Sequence, residues 1–362
     1  MKPSRRRLGS RAALLLGALL LIAIILFLPS CCCPRGPGAR AVPQPAPSPP
    51  VGVAHFDVPR EAVPAAATQA EFRNVNFRVT ETVVLRIHRM RGEMADLETG
   101  RPLNFDDKSS FVMRIAYGEI GMTGASLTEL MNGFVFAYPG APLRDLSISV
   151  EEGRLIQSGI MHKIIDIPFR MVAEVSATED GRIRLHPVEI EICNLDGEAL
   201  MRAFGMDMSE IIDLEGATGV TLEGNDLLID PLAVIPAMKT EGHLTAVEAR
   251  RGELFQVFGS LEGITWLQPP LPQEPNWMFF EEGTLRMGKI FMPRADMQVI
   301  DTEPSDWFDF FLDHYNNQLS AGMAKIRPDY GLQVYMRDFA DLGTPVRPEE
   351  ELMPVGTLEP RQ

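Results

Sequence analysis

Cysteine is scarce in this chain of 362 residues, which contains 4 of them. Cys31, Cys32 and Cys33 stand together near the amino terminus, and Cys193 is alone in the rest of the chain. No disulfide can form within the body unless Cys193 reaches the amino-terminal triplet. The lone Cys193 is interpreted as a partly buried, unreactive thiol.

Catalytic motifs are missing as well. None of the 6 histidines lies four positions from another, which excludes the helix motif of zinc proteases. No serine stands in a Gly-x-Ser-x-Gly turn, and no glycine-rich pattern fits a phosphate or a dinucleotide. The sequence therefore predicts a protein that is not an enzyme, with no catalytic residue, no metal site and no cofactor.

Positive charge is in deficit, because 34 Lys and Arg stand against 49 Asp and Glu, a net charge of −15. Residues 1–30 contain no acid and hold these cations: Lys2, Arg5, Arg6, Arg7 and Arg11. Without those five positive charges, the rest of the chain carries −20. Such an acidic body cannot bind nucleic acid by neutralising its phosphates, so nucleic acid is excluded as a partner.

An uncharged, apolar stretch of 17 residues runs from Ala12 to Leu28, directly after these cations. Its length lies between the apolar region of a signal peptide, about 7–15 residues, and a spanning helix, about 17–25. The Leu-Pro-Ser-Cys that ends at Cys31 resembles a bacterial lipoprotein cleavage box, which makes Cys31 the candidate lipidation site. Residues 1–30 are predicted to be a lipoprotein signal or an uncleaved membrane anchor, and both place the body outside the cytoplasm.

Proline marks the segments that cannot pack a core. Residues 31–70 are rich in Pro and Ala and are predicted to form an extended linker, and residues 344–362 a disordered tail. The Pro-rich segment 266–275 is interpreted as a linker between two sheet sections, with a peptide-binding polyproline segment as the alternative. These limits divide the body into a β-rich domain, 71–265, and a carboxyl-terminal β/α extension, 276–343.

Alternation of apolar and polar residues dominates the body. It is clearest over residues 146–192, where Glu152-Gly153 and Asp180-Gly181 separate the alternating runs. Shorter runs occur at 83–88 and 285–287. The pattern predicts half-buried antiparallel strands joined by hairpins, which form a long curved sheet with one apolar face.

The first of three helical segments begins at a capping box formed by Ser126 and Glu129. Its apolar residues recur at the helical period and define one stripe, which is the candidate ligand-binding groove: Leu127, Leu130, Met131, Phe134 and Tyr138. The sequence predicts that Phe134 lies in the apolar interior with the rest of this stripe.

Two further helices are predicted. Asp196 caps the second, whose stripe is Leu200, Met201, Phe204, Met208 and Ile211. Ser305 caps the third, whose stripe is Trp307, Phe308, Phe311, Leu312, Tyr315 and Leu319. Asp306, Asp309 and Asp313 on this helix are interpreted as a solvated acidic face, with a Ca²⁺ site or an acid–base pair as the alternatives. A few amphipathic helices packed on one antiparallel sheet predict an α+β fold class.

Several short sequence motifs follow one another between residues 123 and 258. Ser126-Leu-Thr-Glu-Leu-Met-Asn-Gly and Leu143-Arg-Asp-Leu-Ser-Ile-Ser-Val come first, then Asp180-Gly181-Arg-Ile-Arg-Leu, Gly224-Asn-Asp-Leu-Leu-Ile-Asp-Pro and Gly242-His-Leu-Thr-Ala-Val. This order resembles the LmeA-like phospholipid-binding family of bacterial envelope proteins. The resemblance implies a curved antiparallel sheet around a long helix, related to tubular lipid-binding folds, and binding of phospholipid or another apolar ligand. It supplies no catalytic residue.

The sequence therefore predicts a membrane-tethered protein of the bacterial cell envelope that binds phospholipid or another apolar ligand between sheet and helix. Burial of acyl chains would provide the affinity, at roughly 0.8 kcal/mol per methylene. A non-catalytic envelope scaffold with a closed core is the alternative, and a lipid hydrolase is less favoured. A solvent-accessible apolar cavity would distinguish the binder from the scaffold.

Overall fold

The computed structural model describes residues 67–97, 102–162, 165–192, 195–196 (backbone only), 208, 212–236 and 238–343. All of these belong to one compact unit, Ala62–Gln362. The predicted anchor, the linker up to residue 66, Cys31, Cys193 and the predicted tail lie outside the described residues. Within the described ranges, no helix combines the length and the apolar composition that crossing a bilayer requires.

The described residues form 21 strands. In chain order they are β1 (Thr68–Arg78), β2 (Val84–Asp96), β3 (Leu103–Asn104), β4 (Phe111–Thr123), β5 (Leu143–Glu151), β6 (Arg154–His162), β7 (Asp166–Ala177), β8 (Ile183–Ile192), β9 (Leu195–Asp196), β10 (Val220–Glu223), β11 (Asp226–Ile229), β12 (Lys239–Glu241), β13 (Leu244–Arg250), β14 (Glu253–Gly259), β15 (Trp277–Glu282), β16 (Leu285–Met287), β17 (Ile290–Met292), β18 (Ala295–Asp301), β19 (Phe308–Phe311), β20 (Met323–Ile326) and β21 (Leu332–Met336). The first of them begins three residues before the predicted start of the body at Glu71.

Eleven of these strands form the large sheet, whose main order is β13-β14-β4-β2-β1-β15-β18-β21-β20. β1 pairs with β2 along one side, and with β15 and then β19 along the other. β12 lies beside β4. The sheet therefore includes strands from both sides of the Pro-rich segment 266–275. Most of its pairs are antiparallel, but β19, β12 and β21 each run parallel to a neighbour.

Seven strands form the meander sheet, in the order β10-β11-β8-β7-β6-β5, with β9 beside β8. Consecutive strands from β5 to β8 pair as antiparallel hairpins, and Glu152-Gly153 and Asp180-Gly181 turn the chain as predicted. In β5, buried and exposed residues largely alternate, because successive side chains point to opposite faces. The predicted antiparallel sheet with one apolar face is thus confirmed for this part of the chain. A third, three-stranded sheet has the order β17-β16-β3.

Helices are few and short in the described residues, so the prediction of an α+β fold with several helices is wrong. Strands account for 54% of the described structure and helical segments for 10%, and the sheets are large and in part curled. The helical segments in these ranges are α1 (Gly124–Leu130), α2 (Tyr315–Ala321) and turns at Lys108–Ser110, Met131–Val135 and Phe339–Asp341. The apolar faces are closed largely by strands and irregular segments, which helical periodicity does not reveal.

The third predicted helix is wrong over much of its length. Residues Phe308–Phe311 form β19 beside β1, and α2 begins only at Tyr315. Every residue of β19 is buried, the polar Asp309 included, so apolar residues do not mark one face of the strand. Its phenylalanines fit one side of a buried helix as well as a buried strand. Asp309 is buried with them and pairs with Arg78, so it does not belong to a solvated acidic face.

Most of the second predicted helix lies outside the described residues. Of its apolar stripe, Met208 is described, and it is helical and buried.

The segment 266–275, which we call the proline strap, lies across the outer face of the large sheet. Side chains from two strands hold its backbone. Leu267 N donates to Glu71 Oε2 at 2.7 Å, and Leu271 N donates to Gln298 Oε1 at 3.0 Å. Asn74 Nδ2 donates to the carbonyl of Pro275 at 2.8 Å. The strap therefore forms a second layer over β1, β15 and β18.

The main core lies on the inner face of the large sheet and continues along the apolar face of the meander sheet. Met278 and Phe280 of β15 point into this core. Trp277 and Phe279 alternate with them and therefore face the strap side, yet each is only 2% exposed. β15 is thus buried on both faces.

Candidate functional site

Helix α1 carries the predicted groove residues, and it begins three residues earlier than the capping box predicts. Thr123 is the N-cap, and its side chain accepts from Ser126 N at 3.2 Å. The Ser126 hydroxyl instead accepts from Val84 N at 3.2 Å and joins the helix to β2. Leu127 and Leu130 are buried, as the stripe predicts.

The predicted inward position of Phe134 is wrong. After α1, the chain makes a wide π-helical turn over Met131–Val135. Met131 stays buried, but the extra residue in this turn brings Val135 and Phe136 inward. Phe134 is 40% exposed, and Tyr138 is partly buried against the core. The five stripe residues therefore do not form one continuous surface.

Hydrogen bonds from polar side chains hold α1 and the following turn against β5 of the meander sheet. Ile148 N donates to Thr128 Oγ1 at 2.9 Å. Leu146 N donates to Asn132 Oδ1 at 2.9 Å, and Asn132 Nδ2 returns a bond to the carbonyl of Leu146 at 2.8 Å. The helix thus closes the sheet beside β5, and its stripe residues do not line the cavities and cleft described next.

Two narrow apolar cavities lie in the core. The meander cavity has a volume of about 50 Å³, and its walls include Met161, Met171, Met208, Ile212 and Leu214. The large-sheet cavity, also about 50 Å³, lies on the inner face of β1, β2, β4 and β14. Ligand pockets usually measure about 300–1,000 Å³, so either cavity must widen before it admits an acyl chain.

A wide cleft lies beside the large-sheet cavity, with a volume of about 840 Å³ and an opening to solvent. The same residues line both spaces: Leu232, Ile235, Met238, Thr240 and Phe258. Their side chains are thus the partition between an apolar interior and a cleft of ligand size. We call Leu232, Ile235 and Met238 the wall residues.

The wall residues belong to an irregular segment that follows β11. Asp230 Oδ1 accepts from Leu232 N at 3.0 Å and from Ala233 N at 3.1 Å, which starts a turn after Pro231. Val234 is buried, whereas the wall residues themselves are partly exposed. A segment outside the sheet ladders needs less free energy to open than the strands around it.

Charges of both signs surround the mouth of the cleft. Its lining includes the cations Lys108, Arg182 and Lys239, and the acids Asp180, Asp230 and Glu241. Arg182 pairs with Asp180 at 2.7 Å, and Lys239 pairs with Glu241 at 3.3 Å.

Hydrogen bonds at this mouth favour the ionised form of two of its acids, Asp180 and Glu241. A bond from Thr178, followed by one from Arg182, holds the pKa of Asp180 below its usual range. A bond from Arg114, followed by one from Lys239, lowers the pKa of Glu241. The mouth therefore presents both positive and negative groups at neutral pH.

None of the residues predicted to bind a ligand is a wall residue, although the wall segment has an unusual sequence. Pro231-Leu-Ala-Val-Ile-Pro236 is an apolar run bounded by two prolines, with neither strand alternation nor helical period. Such a run on an irregular segment lacks the polar residues that a solvated loop carries. The sequence motif used for the family resemblance ends at Pro231 and does not include the run.

The site offers cavities and charges, and the described residues contain no group of three or more His, Cys, Asp or Glu side chains that could hold a metal ion. The fold and the site define a mostly β protein with a closed apolar interior and one adjoining open cleft. Comparison with family models, with curated proteins and with solved structures finds no match to this chain.

Proposed function

We propose that this protein binds a phospholipid or a similar amphiphile, with an acyl chain in the large-sheet cavity. The observation that carries the proposal is the shared partition between an apolar interior and an 840 Å³ cleft. Outward movement of the wall residues would join the two spaces. The acyl chain would then replace their contacts with the inner face of the large sheet, and its buried methylenes would provide affinity.

The cleft suits the head group of the same molecule. Because its mouth carries cations and ionised acids together, a zwitterionic head group finds a partner for each of its charges. A purely anionic head group would meet Asp180, Asp230 and Glu241 as well as the cations. The proposal therefore favours zwitterionic over anionic lipids.

We also propose that the body is held at the outer side of a bacterial membrane and that it binds its ligand without catalysing a reaction. Residues 1–30 would serve as lipoprotein signal or anchor, with Cys31 as the lipidation site in the first case. The apolar run from Ala12 to Leu28 and the resemblance of residues 123–258 to an envelope lipid-binding family support this location. Tethering would keep the cleft close to its lipid source.

A closed envelope scaffold is the second candidate. It is favoured by the small volume of both cavities, about 50 Å³ each, which an intact core would also leave. In that case the wall residues are ordinary core packing, and the cleft is a surface feature. The two candidates differ in whether the wall opens.

Two matched substitutions test the proposal. Ile235→Trp fills the large-sheet cavity at its wall, and Ile212→Trp fills the meander cavity. The full chain and both variants are purified from membranes, and lipids in their organic extracts are identified and counted by mass spectrometry. We expect near-stoichiometric zwitterionic phospholipid with the unmodified chain and with Ile212→Trp, and loss of that lipid with Ile235→Trp.

Other results would reject the proposal. Absence of lipid from all three proteins would favour the scaffold. Loss of lipid with Ile212→Trp alone would show that the acyl chain binds in the meander cavity. Circular dichroism of each variant checks that the added indole has not unfolded the sheets.

A further inference from the structure

Two arginines face each other across neighbouring strands on the outer face of the large sheet, near the middle of β1. Arg73 in β1 lies directly opposite Arg89 in β2 and, on its other side, directly opposite Trp277 in β15. Like charges placed directly opposite in a sheet destabilise it. Something must therefore offset the positive charge at this point.

Of these two arginines, Arg89 alone forms an ion pair with a carboxylate of the described residues. Arg89 pairs with Glu119 at 2.8 Å, and its guanidinium lies 5.2 Å from the ring centre of Tyr117 and 5.3 Å from that of Trp266. Arg73 is exposed, and the described residues provide it with no ion pair; its nearest aromatic contact is Trp277, at 6.0 Å. Glu71, two residues away on the same strand, interacts with Arg73 electrostatically without forming an ion pair. The exposed guanidinium therefore keeps its hydrogen-bond donors available to a ligand.

A pocket of about 220 Å³ lies at this point, between the sheet and the proline strap. Its lining includes both arginines, the indoles of Trp266 and Trp277, and the prolines Pro269 and Pro272. The two aromatic side chains and the proline rings provide apolar surface, and Arg73 provides a fork of donors that matches an oxyanion. The volume has room for one small ring and one charged group.

The indole of Trp277 adds a second sign of an incomplete site. Its side chain is 2% exposed, and among the described residues its Nε1 has no hydrogen-bond partner. Buried indole N–H groups normally find an acceptor. An oxygen that enters beside Trp277, with a small shift of the strap, would provide one.

We propose that this pocket binds a small organic anion, with its oxyanion on Arg73 and its apolar part against Trp266 and Trp277. This site is separate from the lipid cavity, because the two lie on opposite faces of the large sheet, and it does not depend on the proposed lipid function.

Glu71 is the one acid that lines the pocket, and it is already engaged. Its carboxylate accepts from Leu267 N at 2.7 Å, and it stands two residues from Arg73, about 7 Å along an antiparallel strand. Burial raises the pKa of Glu71 above its usual value, which weakens its repulsion of an anion as the pH falls.

Calorimetric titration of the full chain in detergent, at constant ionic strength, tests the proposal. Phenyl phosphate carries both the ring and the oxyanion, inorganic phosphate carries the oxyanion alone, and phenol the ring alone. We expect saturable binding of phenyl phosphate, at least tenfold weaker binding of inorganic phosphate, and no saturation with phenol. Arg73→Gln should weaken phenyl phosphate binding at least tenfold, and Arg73→Lys should weaken it less, because lysine keeps the charge but not the fork.

Arg154→Gln, which removes an exposed arginine of the meander sheet, is the matched control and should leave binding unchanged. Absence of saturable heat up to ~10 mM phenyl phosphate, a free energy of binding weaker than about 3 kcal/mol, would overturn the proposal. Equal affinities for the unmodified chain and Arg73→Gln would overturn it too, because the anion would then bind elsewhere.

Discussion

The large sheet and the meander sheet bury their strands in different ways. Strands of the meander sheet have one face in the core and one in solvent, as the alternation of β5 and β6 shows. In the large sheet, β15 and β19 are buried on both faces, because the proline strap and the segments near α2 form a further layer outside. The meander sheet is therefore covered on one face, whereas part of the large sheet is covered on both.

Three carboxyl groups follow the same division. In the meander sheet, bonds from His162 and then Arg144 hold the pKa of the exposed Asp166 low. Beside the large sheet, burial raises the pKa of Asp301, and it raises that of Asp338 to about 7. Desolvation outweighs local hydrogen bonds only where a second layer excludes water. The covered sheet is therefore the part of the molecule whose stability should depend on pH in the neutral range.

The largest expected effect is that of a cavity on the outer side of the large sheet. Phe279→Ala should lower the free energy of unfolding by about 3–5 kcal/mol, because its ring is buried under the outer layer. Val188→Ala, on the outer face of the meander sheet where Val188 is 36% exposed, should change it by about 0.5 kcal/mol or less. Urea unfolding of the full chain measures both. Equal, small effects would mean that the outer layer does not cover the large sheet.

A pH-dependent effect of a few kcal/mol is expected at Asp338. Its pKa of about 7 in the folded chain exceeds the unfolded value of about 3.9, so the folded state holds the proton more tightly. Its stabilising contribution is complete below about pH 4 and disappears as the pH rises through 7. Asp338→Asn keeps the acceptor for Asp309 N, which now bonds Asp338 Oδ1 at 2.7 Å, without the charge.

The variant should therefore match the unmodified chain at pH 4 and exceed its stability at pH 8. Asp166→Asn in the meander sheet is the control with the opposite sign. The low pKa of Asp166 means that its ionised form is the stabilised one, so its loss should matter slightly at pH 8 and not at low pH. Thermal unfolding at both pH values measures the two variants, and parallel curves for Asp338→Asn and the unmodified chain would contradict the assignment.

Close backbone contact in the large sheet predicts an intermediate effect. A Cβ at Gly92 would press on the carbonyl oxygen of Arg114 in the neighbouring strand, at an irregularity of the β2–β4 ladder. Gly92→Ala should cost about 1–3 kcal/mol. A Cβ at Gly133, in the turn after α1, meets no atom within 4 Å, so Gly133→Ala should be neutral or slightly stabilising. Reversal of this order in urea unfolding would show that the strands can separate at Gly92.

The smallest effect is expected at Phe134. Because the wide turn after α1 points this side chain outward, Phe134→Ala should change the free energy of unfolding by about 0.5 kcal/mol. A loss near 3 kcal/mol in the same measurement would restore the interior position that the helical stripe predicts.

The meander sheet could be predicted from the sequence because apolar and polar residues alternate along its strands. One face of this sheet is exposed to solvent, so polar side chains occupy about every second position of its strands. Tight turns such as Glu152-Gly153 fix where each strand ends. The C-terminal strands could not be predicted in this way. With both faces covered, Phe308–Phe311 has no polar alternation, and the run resembles one side of a helix.

The apolar character of the candidate site could be predicted from the sequence, but its location could not. An apolar interior follows from the one-sided strands, but its location depends on which irregular segment covers the sheet. Leu232, Ile235 and Met238 come together with β1 and β4 through contacts between distant parts of the chain, which have no local signature. The predicted stripe failed at Phe134 because a single wide turn shifts the phase of a short helix.

Photo-crosslinking tests the central claim most directly, because it locates the acyl chain on the protein. A zwitterionic phospholipid with a photoactivatable group near the middle of one acyl chain is incorporated into vesicles with the full chain, irradiated, and mapped by peptide mass spectrometry. We expect attachment to the segment that contains Leu232, Ile235 and Met238 and to the facing strands β1, β2 and β4. Attachment confined to Leu127–Tyr138, or attachment only within residues 1–30, would contradict it.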